Sequence, residues 1–387
     1  MKPPVLRAMS KDDRGVRVSW FELFYDLVVV ASVSHGSHLF VEHPSWGMGT
    51  WLAASLVMLM TFWLLTMVSH NLYPGDDIVR RFLVIVQMVA LVVASLSLGR
   101  GESGLPNSVG FAALAICFAS ISLVYWRCGR QNSESSGVAR LLASTSLLAA
   151  VIMGVGSLLP SNGEVISNPI TWAFTIGMLC GIVPLIFIVL NHRTTTEQIN
   201  AEHLGERMGQ LVLIVLGESF VRLIFSLDGL SEIPNPWYFL LDFIVVLAIW
   251  TLYFTGVVPA GVPATAARLR LWLAMHVVFI FGAIATAGGL AALTLIPFRD
   301  APATHGFWTP LPLFYVMLGL LGLSILARRP RVVLMSDAVI VALLAVLTAL
   351  ALWVIPAEAQ WLTLAGAALV IVDAALSAFA SRRQSNS

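Results

Sequence analysis

Apolar runs of about twenty residues recur along this chain, and twenty residues of α-helix is the length that crosses the hydrocarbon core of a bilayer. Breaks marked by Pro, Gly, Asn and charges set the runs at 20–40, 47–69, 79–98, 108–126, 138–159, 169–190, 206–227, 237–258, 268–296, 308–327, 333–354 and 358–380. The ninth is long enough to be tilted, or broken at Gly288-Gly289. Charged residues make up only 11% of the chain and hydrophobic ones 58%, where a soluble domain carries about 25% charged residues. So much apolar surface has to be covered by lipid. The expected fold class is an all-α integral membrane protein of about twelve transmembrane helices.

The distribution of Lys and Arg orients the spans. The N-terminal tail carries Lys2, Arg7, Lys11, Arg14 and Arg17, and every second loop after it is basic: Arg80/Arg81, Arg127/Arg130/Arg140, Arg193/Arg207, Arg268/Arg270 and Arg328/Arg329/Arg331. Arg382 and Arg383 close the series in the C-terminal tail. The opposite side holds only Arg100 and Arg299, and Arg222 falls within a span. The positive-inside rule makes the basic side cytoplasmic and puts both termini there. Trp46, Trp51, Trp237, Trp308, Trp353 and Trp361 fall near the outer span ends, where an interfacial aromatic belt belongs. The first nineteen residues are polar and basic without an apolar h-region, so the first span, not a cleaved leader, is expected to direct insertion.

A net charge of +1 implies no polyanionic partner, and no nucleic-acid footprint is present. Cys117, Cys128 and Cys180 offer no disulfide framework; they read as packing residues, with Cys128 in a cytoplasmic loop.

The chain also reads as two parallel halves, a first six-helix repeat over 20–190 and a second over 206–380. A cytoplasmic linker (191–205) joins them, and short tails (1–19 and 381–387) flank them. Set in register, ELFYDLVVVASVSHGSHLF lies over ERMGQLVLIVLGESFVRLI, with Glu22 on Glu206, Asp26 on Gln210, Ser34 on Glu218 and His38 on Arg222. With slight slippage Trp63 meets Trp250, Gln87 meets His276 and Pro184 meets Asp373. Parallel repeats of this kind relate by an axis along the membrane normal, with sites expected between them.

Three stretches resemble a known family. WFELFYDLVVVASVSHGSHL is similar to the opening span of the bacterial low temperature requirement A (LtrA) family. Asp76-Asp77-Ile-Val-Arg80-Arg81 resembles that family's acidic-then-Arg loop. His203-Leu-Gly-Glu206-Arg207-Met-Gly, followed by Leu216-Gly217-Glu218-Ser219, resembles its H-x-x-E-R-x-G and L-G-E-S span. The resemblance implies Glu22, Asp26, His203, Glu206, Arg207, Glu218 and Ser219 as motif positions, a multi-span membrane fold and a link to growth at low temperature. It implies no particular activity. His35 and His38 depart from the family's pattern.

Ionisable groups inside a span are costly and face the bundle interior or water. In span seven Arg207, Glu218 and Arg222 share a stripe, with Glu218 about 16 Å along the axis from Arg207 and near the midplane. Arg222 is placed to pair with Glu218 one turn away or with Asp242 on span eight. Two readings stand: a neutralised ion pair that fixes packing, or an ion or proton site whose carboxylate titrates. In span one Glu22 and Asp26 share a face; Glu22 either snorkels or caps the helix start, while Asp26 is deeper. His276 and Asp373 are expected at a similar depth, completing a polar cluster that is either a structural network or a permeation path. Asp337 reads as a solvated end residue. His35-Gly-Ser-His38, with Glu42 or His43 beyond, could be imagined around a metal, but an i,i+3 His pair lacks the ligand set, and no metal is assigned.

No Gly-rich phosphate loop, H-E-x-x-H or nucleophile motif is present, so no cofactor is expected. The function expected is a transporter or ion-conducting protein with a midplane acidic site, acting on a small solute or ion. The alternatives are an intramembrane enzyme acting on lipid-like substrates, and a membrane sensor or structural protein. The lipid bilayer is the one partner implied, and a homo-oligomer is compatible with the sequence.

Overall fold

A computed structural model of the chain describes residues 19–42, 46–73, 77–97, 107–131, 136–159, 169–184, 200–228, 232–295, 310–354 and 359–385. Twelve α-helices occupy them, with no strand among the described residues. They are α1 (Trp20–Glu42), α2 (Trp46–Leu72), α3 (Ile78–Leu96), α4 (Ser108–Gln131), α5 (Ser136–Gly156), α6 (Pro169–Val183), α7 (Ala201–Leu227), α8 (Pro236–Leu252), α9 (Ala266–Leu295), α10 (Pro310–Leu326), α11 (Arg331–Ala349) and α12 (Ala359–Ser385). By length and composition nine helical stretches among the described residues can cross a membrane. α8 and α11 run on through π-helical turns, Tyr253–Val257 and Leu350–Val354. α9 does not break at Gly288-Gly289; it is one continuous helix. Cys128 lies inside α4 and is buried, not in a loop.

The outer faces of the helices are apolar, unlike those of a soluble fold, and the polar side chains within the spans turn inward among an apolar core. α3 buries Arg80, Gln87 and Ser95 and exposes Phe82, Ile85, Val89 and Val92. α11 buries Asp337 and Thr348 while Val332, Met335, Val339 and Val346 face outward, each more than half exposed. Such an outer face is stable only against hydrocarbon.

Helix starts are set by capping. Ser19 and Glu22 form a reciprocal capping box at α1: the Ser19 amide donates to Glu22 Oε2 at 2.9 Å, and the Glu22 amide donates to Ser19 Oγ at 3.3 Å. Asp77 caps α3 by accepting from the Arg80 amide at 2.8 Å. Asn200 caps α7 through the His203 amide at 3.1 Å, which starts that helix five residues earlier than hydropathy placed it.

The chain divides into two compact units. The first comprises Met1–Gly36, Thr50–Arg207 and Ala264–Arg270, and the second Ser37–Gly49, Met208–Pro263 and Leu271–Ser387. Within the first, α3 packs on α4, α4 on α5 and α5 on α6. Within the second, α12 packs against α8, α10 and α11. There α9 and α10 cross at Gly282 and Gly319: a Cβ on Gly282 would lie 2.5 Å from the Val316 nitrogen, so only glycine permits the approach.

Candidate functional site

In the first unit, the acidic face of α1 is closed by the first turns of α7. Asp26 is fully buried and accepts three hydrogen bonds. Trp63 Nε1 on α2 donates to Oδ1 at 2.7 Å, Arg207 Nη2 donates to the same oxygen, and Arg207 Nε donates to Oδ2 at 3.4 Å. The guanidinium also lies 5.5 Å from the centroid of the Trp63 ring, within cation–π range. Its Nη1 is 3.6 Å from Glu22 Oε1, and His203 Nε2 is 3.4 Å from the same oxygen. Glu22 therefore both caps α1 and binds α7. An ionised carboxylate out of water is tolerable only when paired and hydrogen-bonded, and here each of those conditions is met.

Around this pair a second polar layer rises through α1, α2 and α3. Gln87 Nε2 donates to Tyr25 Oη at 2.7 Å and to Thr66 Oγ1 at 3.0 Å. Arg80 is buried, with Nη1 donating to the Tyr73 carbonyl at 2.6 Å and Nη2 to Ser69 Oγ at 3.0 Å. The Asn71 side chain and the Asn200 backbone exchange hydrogen bonds of 2.7 and 3.3 Å, tying α2 to the start of α7. Arg127 grips Asp77 with two bonds of 3.1 Å. Burial alone would raise the Asp77 carboxyl; the Arg127 hydrogen bond and the Arg80 amide outweigh it and hold the group below its ordinary value.

The second unit carries α7 from Met208 onward. Glu218 is half-buried there, while Arg222 and Asp242 are buried. Arg222 feels the charges of both Glu218 and Asp242. With α7 beginning at Ala201, Glu218 lies about 26 Å along a helix of about 40 Å, past its middle. Asp242 on α8 is fully buried, and neither of its oxygens has a hydrogen-bond partner among the described residues. Ser219 bonds back to the Val215 carbonyl at 3.5 Å.

His276 and Asp373 do not complete the Asp26 cluster; both lie in the second unit with other partners. The Trp272 carbonyl can only accept, so His276 Nδ1 donates to it at 2.8 Å, which leaves Nε2 to accept from Tyr253 Oη at 3.0 Å. Asp373 accepts from Ser336 Oγ at 2.9 Å. Asp337 is not a solvated end residue: it is 3% exposed. Glu206, aligned with buried Glu22 in the repeat register, is exposed. Arg207, expected on a stripe with Glu218 and Arg222, belongs to the first unit and pairs with Asp26. His35 is half-buried; the side chains of His38 and Glu42, with His43 and Asp76 entire, lie outside the described residues.

Trp63, Gln87, Arg80, Asp77, Arg127 and Asn71 escaped sequence reading as site residues. Their signal was present: each is polar, or carries a polar handle, within or beside an apolar run.

Long apolar-faced helices with ion pairs in their interior define a multi-pass membrane protein. A family model described as bacterial low temperature requirement A protein (LtrA) matches residues 17–372, and the chain belongs to that family. No curated protein and no solved structure matches the chain.

Proposed function

We propose that this LtrA-family protein conducts or transports a small ion across the bacterial inner membrane, with its termini in the cytoplasm and Asp242, Arg222 and Glu218 as the acidic site. The observation that carries this reading is Asp242, a fully buried carboxyl with no hydrogen-bond donor for either oxygen among the described residues. A carboxyl in such a place is expensive unless a cation comes to it. Arg222 is one such cation and a proton or metal ion is another, and exchange between them is the elementary step of ion coupling. The Asp26–Arg207 pair, in which both carboxylate oxygens accept hydrogen bonds, serves in this reading as the fixed joint between α1 and α7.

Flux into proteoliposomes under a pH, Na⁺ or K⁺ gradient tests the proposal. Wild-type protein should dissipate at least one gradient faster than protein-free vesicles, and Asp242→Asn and Glu218→Gln should each lower that rate at least about tenfold, a barrier change of about 1.4 kcal/mol. No flux from the wild type, or full flux from both variants, would overturn it.

A further inference from the structure

A second carboxyl group in the same unit is built differently and has no part in the reading above. α10 ends in a Schellman turn: the Arg328 amide donates to the Ile325 carbonyl at 3.1 Å and the Arg329 amide to the Ser324 carbonyl at 3.1 Å. Arg328 holds the left-handed position at φ 54 where glycine is usual, and Pro330 prevents the helix from continuing. This turn sends Arg329 back among the helices. Its Nη1 donates to Ser324 Oγ on α10 at 3.4 Å and its Nη2 to Ser377 Oγ on α12 at 3.3 Å. The π-helical turn after α8 makes room for it, since a Cβ on Gly256 would lie 2.6 Å from Arg329 Nη1.

Asp337 of α11 and Asp373 of α12, each 3% exposed, both lie within electrostatic reach of this guanidinium. Asp373 acts on Asp337 as a like charge, and Arg329 acts on both acids as an opposite one. Ser336, the neighbour of Asp337, donates to Asp373 at 2.9 Å. Each acid keeps one oxygen, Oδ2, buried and without a hydrogen-bond partner among the described residues. Among the described residues the charged groups facing the pair are Arg329 and the two acids themselves; Arg328 and Arg331 are exposed. Two carboxylates against one guanidinium leave one negative charge uncompensated in a place where a net charge is costly.

We infer that Asp337 and Asp373 jointly hold one exchangeable proton between α11 and α12, with Arg329 as the fixed counter-charge. Binding the proton brings the group to neutrality and supplies the missing donor to an Oδ2 atom. Releasing it leaves a single negative charge facing Arg329. Two like-charged acids sharing a site titrate as a pair, not as two residues.

The test is infrared difference spectroscopy of the full chain in lipid nanodiscs across pH, in H₂O and D₂O, with Na⁺ or K⁺ as the salt. The expected result is one protonated-carboxyl band, shifted in D₂O, unaffected by the choice of salt and lost in both Asp337→Asn and Asp373→Asn. Ser336→Ala, which removes only a donor to Asp373, should keep the band and move its disappearance to higher pH. A band that survives both Asn variants, two bands each lost in one variant, or a band abolished by Na⁺ would overturn the proposal. So would a Ser336→Ala protein identical to wild type, which decides the matter if the Asn variants do not fold. Asp242→Asn should leave this band in place, so absence of flux in proteoliposomes does not bear on it.

Discussion

Asp26 and Asp242 are equally inaccessible to water, and their surroundings differ in almost every other respect. Asp26 receives Trp63 and two nitrogens of Arg207, while Glu22 pairs with the same guanidinium and with His203. Asp242 receives no hydrogen bond from the described residues and has Arg222 acting on it through space, with Glu218 competing for the same cation. Burial alone therefore does not separate a structural acid from a functional one. What separates them is whether the neighbouring donors are already committed. A carboxylate with donors on both oxygens is held in one arrangement, whereas one short of donors accepts a proton, an ion or a moved side chain.

The largest effect expected from this contrast is at Asp26. Asp26→Asn leaves Arg207 buried without its main counter-ion and should destabilise the protein by about 3–5 kcal/mol, read from denaturant or thermal unfolding in nanodiscs. The double variant with Arg207→Gln should lose clearly less than the sum of the singles. Strict additivity would mean that the pair is not coupled and that the first unit's acid is as loosely held as the second's. Next in size is Ser19→Ala, which removes one side of the capping box and should lower stability by about 1 kcal/mol. If Glu22 then lets go of Arg207, the loss will exceed that figure, and the cap and the ion pair form one cooperative device.

The helices were legible because hydropathy is a local property: α3 was expected at 79–98 and runs Ile78–Leu96, and α9 was expected at 268–296 and runs Ala266–Leu295. The pairings were not, because a helical stripe names the residues that share a face and not the helix that opposes it. Arg207 fell on a stripe with Glu218, yet its partner is on α1, 181 residues away along the chain. Arg80 counted as a loop charge, since Lys and Arg totals report a side of the membrane and carry no information on burial. Asp337 was misread for a related reason. A residue near a span end is solvated only if nothing packs over it, and Arg329 folds back from the turn between α10 and α11 to cover that end.

Asp77 offers a smaller, pH-dependent measure of how firmly the first unit's ion pairs are held. Its carboxyl is held below its ordinary value of 3.8, so its contribution to stability is fully present above that pH and is lost as the pH falls through the lower folded value. Asn caps a helix about as well as Asp, so Asp77→Asn isolates the Arg127 interaction from the cap. The loss at neutral pH should be about 0.5–1 kcal/mol, because Arg127 is partly exposed. Unfolding curves of variant and wild type should converge as the pH drops below 3.8. Curves that stay parallel would show that Asp77 acts through its cap alone.

The smallest stability effect should come from the most deeply buried acid of the second unit, and it is the sharpest test of the contrast. Asp242→Asn removes a charge but no hydrogen bond, because neither oxygen has one to lose. Arg222 keeps Glu218 within electrostatic reach, so it is not left alone as Arg207 would be without Asp26. The amide that replaces the carboxyl is as poor in partners as the group it replaces, which exchanges one cost for a similar one. Unfolding of Asp242→Asn should therefore stay within about 1 kcal/mol of wild type. A loss of 3–5 kcal/mol, the size expected at Asp26, would mean that Asp242 is locked to Arg222 as tightly as Asp26 is to Arg207. The second unit would then hold a structural ion pair too, and the ion-coupling role would have to be sought elsewhere.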